Sequence, residues 1–270
     1  MGVFDSGFGG LTVLKALLEL NPESDYIYFG DTARLPYGSK SAETVAKYAV
    51  EAAHYLEQHG AQLLVIACNT ATALALDKII AASSVPVVGV IEPGAEYAAH
   101  ASKNRQIAVI GTEATIASHA YAKALASRGI EAKEKACPLL VPLIEEGWIE
   151  HPVTEQVARI YLEEAFVNGN QDANPTDVLV LGCTHYPLIR PLLRRVAPAH
   201  VKIVDSAEST AQVVSDLLCR APIIGSSEEE RRRVPRQTFF ATDSVEKFQR
   251  LGARFLGRAI DQVHYVDLKE

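Results

Sequence analysis

Leu64-Val65-Ile66-Ala67-Cys68-Asn69-Thr70 and Leu179-Val180-Leu181-Gly182-Cys183-Thr184-His185 read almost alike. Each is an apolar run of strand length that ends in a small residue, a cysteine and then amide, hydroxyl or imidazole side chains. The cysteines lie 183 − 68 = 115 residues apart, close to half of the 270-residue chain. Open α/β sheets present their chemistry at the carboxyl ends of their strands. Two such ends, from two similar halves, predict one cleft with a thiol on either side. Opposed thiols suit a reaction in which one group takes a proton from a carbon and the other returns a proton to the opposite face.

Working outward, apolar runs alternate with helical patterns almost from end to end. Strands are predicted at Gly2–Phe4, Asp25–Phe29, Leu63–Ala67, Val87–Val90, Ile107–Ile110, Val178–Leu181, Val201–Val204, Thr238–Ala241 and His264–Val266. They are short and uniformly apolar, the pattern of strands buried on both faces. Helices are predicted at Leu11–Leu20, Ala42–His59, Ala71–Ala82, Thr115–Arg128, Val153–Phe166, Tyr186–Val196 and Thr210–Leu218. Ser41 before Ala42, and Thr154-Glu155, mark helix starts. Strand–helix alternation implies parallel sheets with right-handed crossovers.

The repeat extends beyond the cysteines. Val3-Phe4-Asp5-Ser6-Gly7 and Val109-Ile110-Gly111-Thr112-Glu113 are both strand ends followed by a hydroxyl residue and a helix. The fold class is therefore α/β, with two similar parallel-sheet domains related by pseudo-twofold symmetry and the active site between them. Residues 1–91 plus 207–270 form the expected first domain and 92–206 the second, with Pro93-Gly94 punctuating the boundary. Residues 221–237 read as an exposed connection.

Composition bounds the function. Hydrophobic residues make up 48% and charged residues 22%, ordinary for a packed globular protein. A net charge of −7 argues against a nucleic-acid or membrane-surface partner. No apolar run reaches bilayer length, and no signal peptide is visible at the N-terminus. Four cysteines without tight spacing do not form a disulfide framework, which points to a reducing cytoplasm. Eight histidines without a His-x-x-x-His or Cys-x-x-Cys arrangement give no support for a metal site.

Cys68 and Cys183 stand out as working thiols, because a thiol at a helix N-terminus feels the macrodipole and its pKa falls. His185 is placed to hydrogen-bond the second thiol or a substrate carboxylate. Cys137 and Cys219 read as packing residues. Asp5-Ser6-Gly7-Phe8-Gly9-Gly10 lets backbone approach a ligand before a helix, but matches no phosphate-loop pattern. There Asp5 suits an ammonium and the helix end a carboxylate. Asp31-Thr32 and the loop Leu35-Pro36-Tyr37-Gly38 follow another strand end, where loops contact ligands. Glu145-Glu146-Gly147 reads as a solvated helix end. Arg231-Arg232-Arg233, beside Glu228–Glu230, reads as solvated surface.

At this point the residues resemble glutamate racemase, of the aspartate/glutamate racemase superfamily. The match runs in order through Gly2-Val3-Phe4-Asp5-Ser6-Gly7, Asp31-Thr32 with Pro36-Tyr37-Gly38, Ala67-Cys68-Asn69-Thr70-Ala71 and Gly182-Cys183-Thr184-His185-Tyr186-Pro187. The chain begins directly on the first strand, where relatives have a few residues before it. The resemblance implies a cofactor-independent enzyme that interconverts L- and D-glutamate and supplies D-glutamate for peptidoglycan. It implies Cys68 and Cys183 as the acid/base thiols, assisted by Asp5, His185 and Glu145. Asp5, Ser6, Pro36, Tyr37, Gly38, Cys68, Asn69, Thr70, Cys183, Thr184 and His185 are the implied substrate-binding positions. A homodimer is compatible with it. Aspartate racemisation is the nearest alternative, with a Cys68–Cys183 redox protein and a non-catalytic amino-acid-binding module further off.

Overall fold

Among the described residues every strand pairing is parallel, as apolar runs separated by helices require. The structure is a computed structural model that describes residues 1–166, 175–220 and 234–268. The predicted Arg231–Arg233 surface and most of the 221–237 connection lie outside these residues.

The first sheet holds β1 (Gly2–Asp5), β2 (Tyr26–Gly30), β3 (Leu64–Ile66), β4 (Val87–Gly89), β9 (Gln237–Ala241) and β10 (His264–Tyr265) in the order β10-β9-β2-β1-β3-β4. The second holds β5 (Gln106–Gly111), β6 (Glu131–Ala136), β7 (Val178–Gly182) and β8 (Lys202–Asp205) in the order β6-β5-β7-β8. Taken from its own first strand, each half has the order 2-1-3-4. The internal repeat of the sequence is thus a repeat of topology. Cys68 follows β3 and Cys183 follows β7, the third strand of each set.

The helices in chain order are α1 (Leu11–Leu20), α2 (Ala42–Gln58), α3 (Asn69–Ala82), α4 (Ile91–Ala101), α5 (Glu113–Ala117), α6 (Ala120–Ala126), α7 (Leu140–Glu145), α8 (Pro152–Phe166), α9 (Arg190–Val196), α10 (Ser206–Arg220) and α11 (Val245–Leu256). Ser41 caps α2 by accepting from the Thr44 amide. One hydrophobic core joins Val3, Leu14, Tyr28 and Val65 of the first sheet's layers to Ile110, Leu181 and Leu193 of the second's.

Four expectations change. Ile91–Gly94 is the first turn of α4 rather than a break, because proline is tolerated there. Gly94 lets α4 pack closely, as an added Cβ would sit 3.2 Å from Ser206. Strand β6 was not expected at all. Its sequence, Glu-Ala-Lys-Glu-Lys-Ala, has no apolar run, because it is an edge strand and charges protect edges. The single helix expected at Thr115–Arg128 is two, broken at His119 in the left-handed region (φ 55°). There the Ser118 hydroxyl donates to the Thr115 carbonyl at 2.6 Å and takes the Ala120 amide at 3.2 Å, competing with the helix ladder. Finally, Cys219 is exposed on α10, not packed, whereas Cys137 is fully buried.

Candidate active site

A cavity of about 410 Å³ opens at the carboxyl ends of both sheets. Among the strand ends that meet in it are Ser6 after β1, Cys68 after β3, Thr112 after β5 and Cys183 after β7. They are the two repeat pairs of the sequence, now facing one space. Pro36, Tyr37, Gly38, Asn69, Thr70, Glu145, Thr184 and His185 also line it.

Glycines bring the two halves together. A Cβ on Gly9 would lie 2.3 Å from Thr184 Oγ1 and 2.6 Å from His185 Nδ1, so only glycine fits there. The Thr12 hydroxyl at the start of α1 bridges the same contact, 2.9 Å from the Gly9 carbonyl and 3.2 Å from the Thr184 carbonyl. On the other side, the hydroxyls of Thr70, Thr112 and Thr115 lie within 2.9–3.2 Å of one another. The Tyr121 hydroxyl donates to Asn69 Oδ1 at 2.8 Å.

Around Cys68, Sγ lies 3.5 Å from Ser6 Oγ and accepts from the Ala71 amide at 3.4 Å, capping α3. The expected fall in pKa does not follow. Burial, with the negative field of Asp5, pushes the Cys68 thiol up to about 12 and outweighs the donors. Asp5 is not itself a lining residue. It lies beneath the cavity, with Oδ2 accepting from the Gly7 amide at 2.9 Å and Oδ1 buried without a hydrogen-bond partner. Burial pushes its carboxyl up, against the pull of His185 and the loop amides.

Around Cys183 the surroundings differ. No α-helix starts at this cysteine; a 3-10 turn at Tyr186–Ile189 comes first. Cys183 Sγ lies 3.9 Å from His185 Nδ1, and His185 Nε2 lies 3.2 Å from Glu145 Oε1. Burial opposes the imidazolium, but the bonds to Cys183 and Glu145 win and push His185 up to about 10. Burial also opposes ionised Glu145, yet His185 and Lys247 hold its carboxyl below the usual glutamate range. Glu145 is therefore no solvated helix end: α7 delivers it to the cavity.

Tyr37 meets the cavity without offering its hydroxyl. Its ring is buried and its OH donates to Asp31 Oδ2 at 2.5 Å. Asp31 also accepts from Arg34 Nε at 2.7 Å and Thr242 Oγ1 at 2.9 Å, which fixes the loop. Thr112 and Lys247 line the cavity without being singled out as site residues in the sequence, as do Pro138, Val141, Pro142, Asp243 and Ser244. Thr112 was legible, as the repeat partner of Ser6. Lys247 sits on α11, outside the repeat, and carried no signal.

Residues 10–214 match the family model for Asp/Glu/hydantoin racemase. The glutamate racemase of Koribacter versatilis is 59% identical, with 99% of this chain and 97% of that protein covered. The glutamate racemase of Geobacter metallireducens is 46% identical, with 100% and 97% covered. Among solved structures, glutamate racemase isoform RacE1 from Bacillus anthracis superposes with a TM-score of 0.89 at 37% identity, covering 99% and 97%. Glutamate racemase from Francisella tularensis in complex with D-glutamate gives 0.88 at 34%, with the same coverage. The aspartate racemase of Picrophilus torridus is 20% identical with a TM-score of 0.56, a likeness of fold alone. Four matched motifs, two repeated sheets and these similarities agree: the chain belongs to the Asp/Glu/hydantoin racemase family, with the glutamate racemases.

Proposed function

We propose that this chain interconverts L- and D-glutamate with Cys68 and Cys183 as opposed acid and base, supplying D-glutamate for peptidoglycan. The observation that carries the reading is the pair of cysteines at equivalent strand ends on one cavity. One sulfur, as thiolate, takes the α-proton from one face. The other, as thiol, donates a proton to the opposite face. Each turnover exchanges their protonation states, so the product-forming enzyme is set for the opposite enantiomer.

The buried unpartnered atoms support an amino-acid ligand. Among the described residues five side-chain atoms are buried without a partner, and two belong to this site: Asp5 Oδ1, an acceptor, and Asn69 Nδ2, a donor. Buried polar atoms are rarely left so. A zwitterion's carboxylate can pair with Asn69 Nδ2, and its ammonium, in the cavity that Asp5 underlies, is drawn by the charge of that buried carboxyl. Amides after each cysteine add donors where negative charge grows as the α-proton leaves. The ammonium also opposes the field that disfavours the Cys68 thiolate. Ser6, Pro36, Tyr37, Gly38, Thr70 and Thr184 complete the substrate contacts. Glu145 and His185 assist Cys183, as Asp5 assists Cys68. The strands of each sheet support a division into 1–91 with 207–270, and 92–206.

The test uses serine variants and a β-chloro glutamate. Cys68→Ser and Cys183→Ser should each lose about 10²–10⁴-fold of racemisation, the range for removing an acid/base group. Elimination needs only one base: the α-proton leaves, chloride departs, and the enamine hydrolyses to a 2-oxo acid and ammonium. The two variants should therefore process opposite enantiomers. If both processed the same hand, the opposed-thiol reading would fail.

A further inference from the structure

We propose that Lys247 is a positioning residue for the second thiol, holding the Glu145 carboxylate between two cations so that Glu145 orients His185 on Cys183. The inference rests on the reading of Cys183 as an acid/base thiol. Its observations come from α11, which lies outside the four-strand repeat and beyond the residues matched by the family model.

Three contacts run in line from that helix. Lys247 Nζ lies 3.7 Å from Glu145 Oε2, Glu145 Oε1 lies 3.2 Å from His185 Nε2, and His185 Nδ1 lies 3.9 Å from Cys183 Sγ. Each carboxylate oxygen thus has its own cationic partner. Lys247 is held in place by its approach to the Phe8 ring, 5.6 Å from the centroid. The same helix sets the Phe255 ring edge-on to His185, with centroids 5.1 Å apart and planes at 79°. It therefore touches both the carboxylate and the imidazole. Lys247 is the one lysine or arginine lining the cavity among the described residues. Cys68 has no such chain: the Ser6 hydroxyl lies 3.5 Å from its sulfur, and the Asp5 charge favours its protonated form.

The charged and titratable groups facing His185 are Cys183 from its own segment, Glu145 from α7 and Asp5 from β1. Lys247 acts on this set through Glu145. Without it, the carboxylate's full charge falls on the imidazolium and Oε2 loses its partner. His185 then holds its proton more tightly and gives it up less readily.

The experiment is an NMR titration of ¹⁵N-histidine-labelled full-length protein, with racemase kinetics beside it. Lys247→Met keeps most of the stem and removes the charge. His185 should titrate about half a pH unit higher, the effect of one partly solvated charge acting through its neighbour. The value of kcat/KM at neutral pH should fall about threefold to tenfold, a fraction of a full acid/base contribution. Lys247→Arg should restore both. In a Glu145→Gln background Lys247→Met should move neither.

An unchanged His185 titration overturns the proposal, and with lost activity it assigns Lys247 to substrate capture instead. A shift of equal size in the Glu145→Gln background also overturns it, since the field would then act directly. If the wild type does not racemise glutamate, the functional reading fails while the titration still decides the role of Lys247.

Discussion

Gly9→Ala tests whether the closeness of the two halves matters to the chemistry rather than to folding alone. Gly9 lies between β1 and α1, facing the segment that follows Cys183. The new Cβ would meet Thr184 Oγ1 at 2.3 Å, where ordinary contact begins at 3.4 Å. The segments must separate by 3.4 − 2.3 = 1.1 Å, or a side chain must turn. A turn of the Thr184 hydroxyl alone does not relieve the clash, because the new Cβ also lies 2.6 Å from His185 Nδ1, and His185 is held by Glu145 at 3.2 Å and by the Phe255 ring. The displacement therefore passes to the imidazole and to Cys183.

Overpacking of this kind costs about 1–3 kcal/mol. For a chain of this size that lowers Tm by about 2–10 °C, leaving the protein folded at 25 °C. A misplacement of about 1 Å at reacting groups costs about 100-fold in rate. The assay is circular dichroism of racemising glutamate, with thermal melts of the same samples. Gly60→Ala is the control. Gly60 has φ +90° with nothing within 4 Å of a new Cβ, so alanine there is strained but clashes with nothing. It should cost about 1 kcal/mol of stability and leave the rate alone. If folded Gly9→Ala raced within about threefold of the wild type, the claim that Gly9 sets the thiol–imidazole geometry would be wrong.

Two further outcomes follow from the same site. The folded pKa of His185, about 10, lies above its unfolded value of 6.5, so its stabilisation is complete below pH 6.5 and disappears as pH rises through 10. Cys68 adds a loss in the same direction above its unfolded 9.0, toward 12. Tm should fall steadily from pH 7 to pH 10, by the equivalent of a few kcal/mol, and less steeply in His185→Gln; a flat wild-type profile would contradict this. Separately, Cys219 is exposed while Cys68, Cys137 and Cys183 are buried. One thiol should react rapidly with Ellman's reagent in the native protein without loss of racemisation, and Cys219→Ser should remove that phase; two rapid thiols would overturn the assignment.

All nine predicted strands appear, most of them because buried apolar runs leave little choice of secondary structure; β10 is the exception, an exposed His264-Tyr265 pair at the sheet edge beside β9. The repeat was visible for the same reason: Ser6 pairs with Thr112 and Cys68 with Cys183 through strand ends of similar composition. What escaped was set by tertiary context. Strand β6 has charges where an interior strand has valine, and only its place at a sheet edge explains them. Glu145 looked like a solvated helix end in isolation, because His185 and Lys247 arrive from distant parts of the chain. The Cys68 pKa was expected to fall from one local feature, the helix start. The structure reverses it, since burial and Asp5 are non-local.

The two halves repeat in topology but not in the groups behind their thiols, and racemisation permits this. Enantiomers have equal free energies in water, so kcat/KM must be the same for both directions whatever the surroundings of each sulfur. That constraint does not require equal kcat, equal KM or equal free-enzyme forms. With its thiol pushed up to about 12, Cys68 rests protonated at neutral pH. On the proposed mechanism that resting form is set to donate from Cys68, and the enantiomer that needs Cys68 as base must find or induce the other form. Its ammonium, brought beside Asp5, opposes the negative field that holds Cys68 protonated. The Cys183 side has its own means, the imidazole between thiol and carboxylate. The cavity can thus keep one proton inventory at rest and still serve both hands, because binding charge moves the inventory on one side and the His185–Glu145 pair manages it on the other.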